Sequence, residues 1–222
     1  MKFEGFYQKS TKILLEIRFN NNKEFFHSIK DEYASYVHEP IKLLAENLLD
    51  KIKDMDKDFG DEIKISRANR DIRFSKNKSP YKESKWFFLR KGNISTIEYH
   101  RPNYFFEITP DGYMYGLGFW PGPGGMGLLR ARSMAKGAAG FEEALKAYKK
   151  QNAFELEGDM YKKIFFPELP EEKNDWLQRK SLTFIKSCGN DELLYSPELV
   201  DSVFNDIKAI HPVYQYLDKI SG

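Results

Sequence analysis

Ile41, Leu44, Ala45, Leu48, Leu49, Ile52 and Met55 fall at i, i+3, i+4, i+7, i+8, i+11 and i+14, and then the period changes. A repeat near 3.6 residues puts all of them on one face of a helix, and that face has to be buried against something else. From Ile63-Lys64-Ile65 onward the alternation is the two-residue period of a strand. Trp86-Phe87-Phe88-Leu89 and Tyr104-Phe105-Phe106-Glu107-Ile108 are expected to be buried strands, and Pro110-Asp111-Gly112 marks the turn joining the second to Tyr113 to Trp120. Helices, then strands, then helices again predict an α+β fold, with an antiparallel β-sheet in the central part of the chain packed with N-terminal and C-terminal helices.

The flanks fill in this outline. Phe6, Ile13, Leu14 and Ile17 predict a first helix ending near Asn20-Asn21-Asn22, with Asn22 placed to cap a second from Lys23 that turns Phe25, Phe26, Ile29 and Tyr33 inward. Pro40 is expected to break or kink that helix, and Gly60 to close the regular one that follows. Pro121-Gly122-Pro123-Gly124-Gly125 cannot continue a strand and predicts a loop before a helix that starts at Met126 or Gly127 and carries Arg130 and Arg132. Phe141 to Lys150 and Glu171 to Lys180 predict helices, Leu182 to Ile185 a strand, and Ser196-Pro197 the start of a final helix through Val203, Phe204, Ile207 and Ile210. Phe154 to Phe166 is weakly patterned.

With 41% hydrophobic and 15% aromatic residues, the chain has too much apolar material for disorder, and no repeat or low-complexity linker divides it, so one globular domain over residues 1–222 is expected. Cys188 is the sole cysteine, which excludes an intrachain disulfide and a cysteine-based zinc site. Met1-Lys2-Phe3-Glu4-Gly5 lacks the apolar run of a signal peptide, and no stretch approaches the ~18 apolar residues of a membrane span, so a cytoplasmic protein without a membrane partner is expected. His27, His38, His100 and His211 lie far apart without metal-ligand spacing, and neither a metal nor a cofactor is expected.

Charge is where the sequence speaks about function. Residues 67–82 carry six cations and one carboxylate, and the wider window from Lys64 to Lys91 holds ten cations against Asp71 and Glu83. That local balance of +8 sits in a chain of net charge +2, so the remainder sums to −6. Concentrated guanidinium groups suit phosphate or carboxylate, because each offers a rigid fork of donors to two oxygens. Arg67, Arg70, Arg73 and Lys78 are therefore candidate oxygen contacts, with Asp71 orienting one guanidinium and Tyr81 supplying a hydroxyl or a stacking surface. The competing reading has these arginines paired with the carboxylates carried in excess elsewhere. An extended strand would send residues three apart to opposite faces, so convergence requires a turn.

Other constellations are weaker. Gly116-x-Gly118-Phe119-Trp120-Pro121-Gly122-Pro123-Gly124-Gly125 is glycine-rich enough to cradle a phosphate, yet lacks the Lys-Ser or Lys-Thr ending of a P-loop; strand-exit turns explain it equally well. His100 beside Arg101, and Glu98 with Glu107, are conceivable acid–base groups. No G-x-S-x-G elbow is present.

Arg67-x-x-Arg70-Asp71-x-Arg73-Phe74-x-x-Asn77-Lys78-x-x-Tyr81 resembles the signature R-x-x-R-D-x-R-F-x-x-[DN]-K-x-x-Y of a bacterial family known as domain of unknown function 2461. Asn21-Asn22-Lys23-Glu24-Phe25-Phe26 and Lys30-x-x-Tyr33 resemble that family's first helices, and the length is similar. The resemblance implies membership and carries over no reaction, substrate or catalytic residue. Whether the protein is an enzyme stays open at the level of sequence. An anionic small molecule is the expected partner. A nucleic acid, its phosphates held by the basic segment and its bases stacked on Trp86, Phe88, Tyr104 or Phe106, is the alternative, followed by docking of an acidic protein.

Overall fold

The computed structural model describes residues 1–73, 76–91, 101–121 and 140–221. Helix α1 spans Gln8–Phe19 and ends at Asn20, whose backbone N–H still bonds the Glu16 carbonyl. Helix α2 is Lys23–Ser28, started as its sequence predicts by the Asn22 side chain accepting from the Phe25 N–H. The expected single second helix is broken at Ile29, after which come α3 (Lys30–Tyr33), a π-helical turn (Ala34–His38) and α4 (Glu39–Met55).

Pro40 neither breaks nor kinks the chain where the sequence suggested; it lies in the first turn of α4, where its missing N–H costs least. The preceding π turn closes with the Glu39 N–H bonding Ala34, five residues back, and the Ser10 hydroxyl from α1 donates to the Tyr36 carbonyl at 2.5 Å. The carbonyl that faces the proline is thereby satisfied from another helix. Ile41, Leu44, Ala45, Leu48, Leu49 and Ile52 are all buried, as their spacing requires. Helix α4 stops at Met55, and Gly60, with φ of 89°, turns the chain beyond it instead of closing it.

The strands are β1 (Glu62–Ile65), β2 (Lys85–Arg90), β3 (Asn103–Thr109) and β4 (Gly112–Phe119), followed by helix α5 (Phe141–Lys150), β5 (Glu155–Glu157), helix α6 (Glu171–Leu177), β6 (Leu182–Gly189), a 3-10 turn (Glu192–Tyr195) and helix α7 (Leu199–Ser221). They form one antiparallel sheet in the order β1-β2-β3-β4-β6-β5. The α+β class read from the sequence is the observed one. Strand β5, which weak patterning hid, pairs antiparallel with β6 through Glu155 opposite Ile185 and Glu157 opposite Thr183. Helix α7 runs past Pro212 to Ser221, because Val213, Leu217 and Ile220 prolong the buried stripe begun by Ile210.

Two compact units are distinguishable: Met1–Leu89 with Phe105–Tyr115 and Ser187–Phe204, and Arg90–Tyr104 with Gly116–Lys186 and Asn205–Gly222. The first is cored by rings. Phe106 stacks with Phe6 at 5.9 Å, Phe87 at 5.7 Å and Tyr113 at 5.7 Å between centroids. The second gathers Trp176 against Phe184 at 5.0 Å and Phe141 at 5.8 Å, and buries Tyr104 with its hydroxyl 2.9 Å from His211 Nδ1. Gly116 is obligatory there, since a Cβ would lie 1.8 Å from the Phe184 carbonyl oxygen, and Gly118 is covered by the Trp120 ring. The two described glycines of that pattern therefore have packing reasons. Gly122 to Gly125, Arg130 and Arg132 lie outside the described residues. Among the described residues no helix is long and apolar enough to cross a membrane.

Candidate functional site

The basic segment is an irregular arm folded back on itself. Asn69 and Tyr81 form an antiparallel bridge, the Arg70 N–H bonds the Pro80 carbonyl at 2.8 Å, and the Lys82 N–H bonds that of Ala68 at 2.8 Å. This is the turn that convergence of the cations demanded. Asn21, between α1 and α2, holds the arm from the side: its amide donates to the Tyr81 carbonyl at 3.0 Å and accepts from the Tyr81 N–H at 2.9 Å. Arg18 clamps the neighbourhood by pairing with both Glu83 and Asp111.

The structure sorts the candidates. Asp71 pairs with Arg73 in a two-pronged fork, 3.0 Å from Oδ1 to Nε and 2.7 Å from Oδ2 to Nη2, with both side chains exposed. The Arg73 guanidinium holds the Asp71 carboxyl down at about 2. Lys78 donates to the Ile72 carbonyl at 2.8 Å, closing the arm's outer loop. Tyr81 is buried, and its ring lies on Phe26.

Arg67 and Arg70 behave differently. Neither forms an ion pair among the described residues. Arg70 reaches the Tyr81 carbonyl at a long 3.5 Å with one terminal nitrogen, and its Nε is buried without a hydrogen-bond partner among the described residues. Lys82, missed as a site residue by sequence reasoning, joins them by donating to the Arg67 carbonyl at 3.1 Å. Its amine lies below the ordinary lysine range, first through burial and then through the Arg70 charge. Glu107 opposes that shift, whereas Lys64 and Arg67 add to it. Arg70, Lys64 and Arg67 thus repel the Lys82 charge, against one opposing carboxylate, Glu107, among the described residues.

Beneath this face lies Lys85, 3% exposed, donating to the Ser66 carbonyl and sitting 5.6 Å over the Tyr33 ring. Burial, then the charge of Lys82, pushes its amine down to about 8. The Tyr33 hydroxyl and His38 Nδ1 are buried without hydrogen-bond partners among the described residues. Sequence reasoning missed this group as well, although a signal was present: Lys85 shares the two-residue phase of Phe87 and Leu89, the buried face of β2.

Of the aromatics considered for base stacking, Tyr104 and Phe106 are core residues at 1% and 0% exposure. Trp86 and Phe88 stack on each other at 4.6 Å on the half-exposed face of β2, and Lys82 lies 5.4 Å over Trp86. His100 and Glu98 fall outside the described residues. In the second unit a cavity of about 560 Å³ is lined by Met160, Ile164 and Leu169 together with Glu171 and Asp175. Its charge is of the wrong sign for an anion.

A family model described as "Conserved hypothetical protein (DUF2461)" matches residues 9–216, the same family that the pattern from Arg67 to Tyr81 resembles. No curated protein matches the chain.

Proposed function

The chain belongs to the DUF2461 family, and from that premise we propose that it binds a small anionic molecule, one bearing a phosphate or carboxylate, on the face formed by Arg67, Arg70 and Lys82. The observation that carries the reading is the buried Arg70 Nε without an acceptor, beside cations that repel one another and form no ion pair among the described residues. A buried donor left unmet costs about 1–3 kcal/mol, and an oxyanion between these groups would satisfy it while relieving the repulsion. In this reading Arg67, Arg70 and Lys82 contact oxygen. Asp71, Arg73 and Lys78 shape the arm, and Tyr81 anchors it.

The test is calorimetric titration of inorganic phosphate into the full chain and into Arg70→Gln and Lys82→Met. Loss of about tenfold or more in affinity with an unchanged melting transition supports the reading. Equal affinity in all three proteins overturns it.

A second reading, single-stranded nucleic acid, is favoured by one feature: the half-exposed Trp86–Phe88 pair beside Lys82. A strand held through several phosphates loses affinity steeply with salt and loses it again in Trp86→Ala. A small anion depends on salt less and tolerates that substitution.

A further inference from the structure

Lys85 has the surroundings of a reactive amine. It projects from the buried face of β2, and among the described residues no carboxylate pairs with it. A lysine that merely fills space extends its ammonium to solvent or meets a carboxylate. Among the described residues this one meets a backbone carbonyl and the face of a phenol ring. Two further polar atoms, the Tyr33 hydroxyl and His38 Nδ1, are buried nearby with no hydrogen-bond partner among the described residues, and each requires an explanation in a folded protein. His38 ends a π-helical turn, a distortion that recurs at functional sites.

The groups that act on this amine come from three elements: Tyr33 from α3, His38 from the π turn, and Lys82 from the segment entering β2. Burial holds the Tyr33 phenol above its usual range, so it stays protonated. The His38 imidazole is lowered by burial first and by the Lys85 charge second, so it stays neutral near pH 7. A proton donor and a proton acceptor thus accompany an amine whose free-base form is accessible.

We propose that Lys85 condenses with a small carbonyl compound carrying an anionic group, a 2-oxo acid or a phosphorylated aldehyde, to form an imine. The anionic half of that substrate rests on the reading given under Proposed function; the carbonyl half rests on Lys85 alone. The Nζ lone pair attacks the carbonyl carbon and the C=O π pair moves onto oxygen, giving a carbinolamine. Nitrogen gives up two protons over the sequence, the carbonyl oxygen departs as one water, and no oxidant or reductant is consumed. The Tyr33 hydroxyl supplies the O–H donor to the leaving oxygen, and His38 Nδ1 supplies the acceptor for the proton from nitrogen.

The experiment is trapping by cyanoborohydride of the full chain at about pH 7.5, with glyoxylate and separately with propanal, read by peptide mass spectrometry against exposed Lys57. Lys85 is expected to be modified at least about tenfold faster than Lys57 by both reagents, because its lowered amine is partly free base at that pH and has acid and base groups beside it. Glyoxylate should lead, and phosphate should protect against it. Lys85→Met should lose the adduct while keeping its phosphate affinity and its cooperative melt. If propanal favours Lys85 but glyoxylate gains nothing and phosphate does not protect, the amine stands and the anion-binding reading falls. If neither reagent modifies Lys85 ahead of Lys57, the amine proposal is overturned, whatever the phosphate titration shows.

Discussion

The Phe26 ring stacks on Tyr81 with centroids 3.9 Å apart and planes 12° apart, which fastens helix α2 to the inner strand of the basic arm. Together with the two hydrogen bonds from Asn21, this contact fixes the backbone that carries Arg70 and Lys82. The arm's position is therefore set by packing and backbone pairing.

Removing either ring should loosen the arm before it unfolds the protein. Phe26→Ala is expected to cost about 1–3 kcal/mol by chemical denaturation and to weaken phosphate binding although no charge is touched. Tyr81→Phe keeps the stacked ring, and the hydroxyl has no hydrogen bond among the described residues, so its stability should stay within about 0.5 kcal/mol of the parent. A large loss in Tyr81→Phe would show that the hydroxyl matters.

The Asp71–Arg73 fork makes a prediction about pH. The carboxyl is lowered in the folded chain, to about 2, so its contribution is present above the ordinary carboxylate range and is lost as pH falls from about 4 toward 2. Both groups are exposed, which makes the effect small and sensitive to salt. An NMR titration should place the Asp71 midpoint near 2, and Arg73→Gln should return it to the usual carboxylate range. Phosphate affinity should change little in Arg73→Gln if Arg67, Arg70 and Lys82 are the contacts.

How legible this was in the sequence varies by element. The stripe from Ile41 to Ile52 could be read because one period governs it and burial follows it, and the strands around Phe87, Phe106 and Tyr115 because each is a short run of aromatic and apolar residues. Strand β5 could not: Glu155-Leu156-Glu157 has one apolar residue, and pairing with β6 supplies what its own pattern lacks. The break at Ile29 and the π turn were also hidden, and the π turn has its Tyr36 carbonyl met by Ser10, a partner remote in sequence. For the site, composition located the arm, but which cation is neutralised depends on side-chain reach. Arg73 and Arg70 look alike in the motif, and only the fold assigns Asp71 to one of them.

Ser10 gives a direct test of how Pro40 is accommodated. Its hydroxyl donates to Tyr36 and its oxygen accepts from the Tyr7 N–H at 3.0 Å, with the side chain fully buried. Ser10→Ala strands a buried carbonyl and an N–H together, so a loss of about 1–3 kcal/mol is expected in thermal or denaturant unfolding. Combining it with Pro40→Ala restores an N–H in α4 that the upstream carbonyl can use, and the double variant should recover part of the loss. Strict additivity of the two changes would contradict that link.

Lys85 supplies the last prediction, and its sign runs opposite to that of a salt-bridged lysine. Its folded amine is lowered to about 8, while in the unfolded chain it returns to the ordinary value of about 10.4. Between those limits the unfolded state binds more protons, so raising the pH through that window stabilises the fold, and below about pH 8 the buried charge is a standing cost. Other groups also change charge as the pH rises, which makes the difference between the parent and Lys85→Met the informative quantity. Measured by denaturant unfolding, the parent should gain on Lys85→Met by about 1–3 kcal/mol between pH 8 and pH 10. The Ser66 carbonyl loses its donor in the variant, a penalty that is the same at every pH and shifts the whole difference curve without changing its slope. A flat difference would mean that the amine is not held in its folded surroundings at a lowered value, and a falling one would mean that an anion or carboxylate already neutralises it.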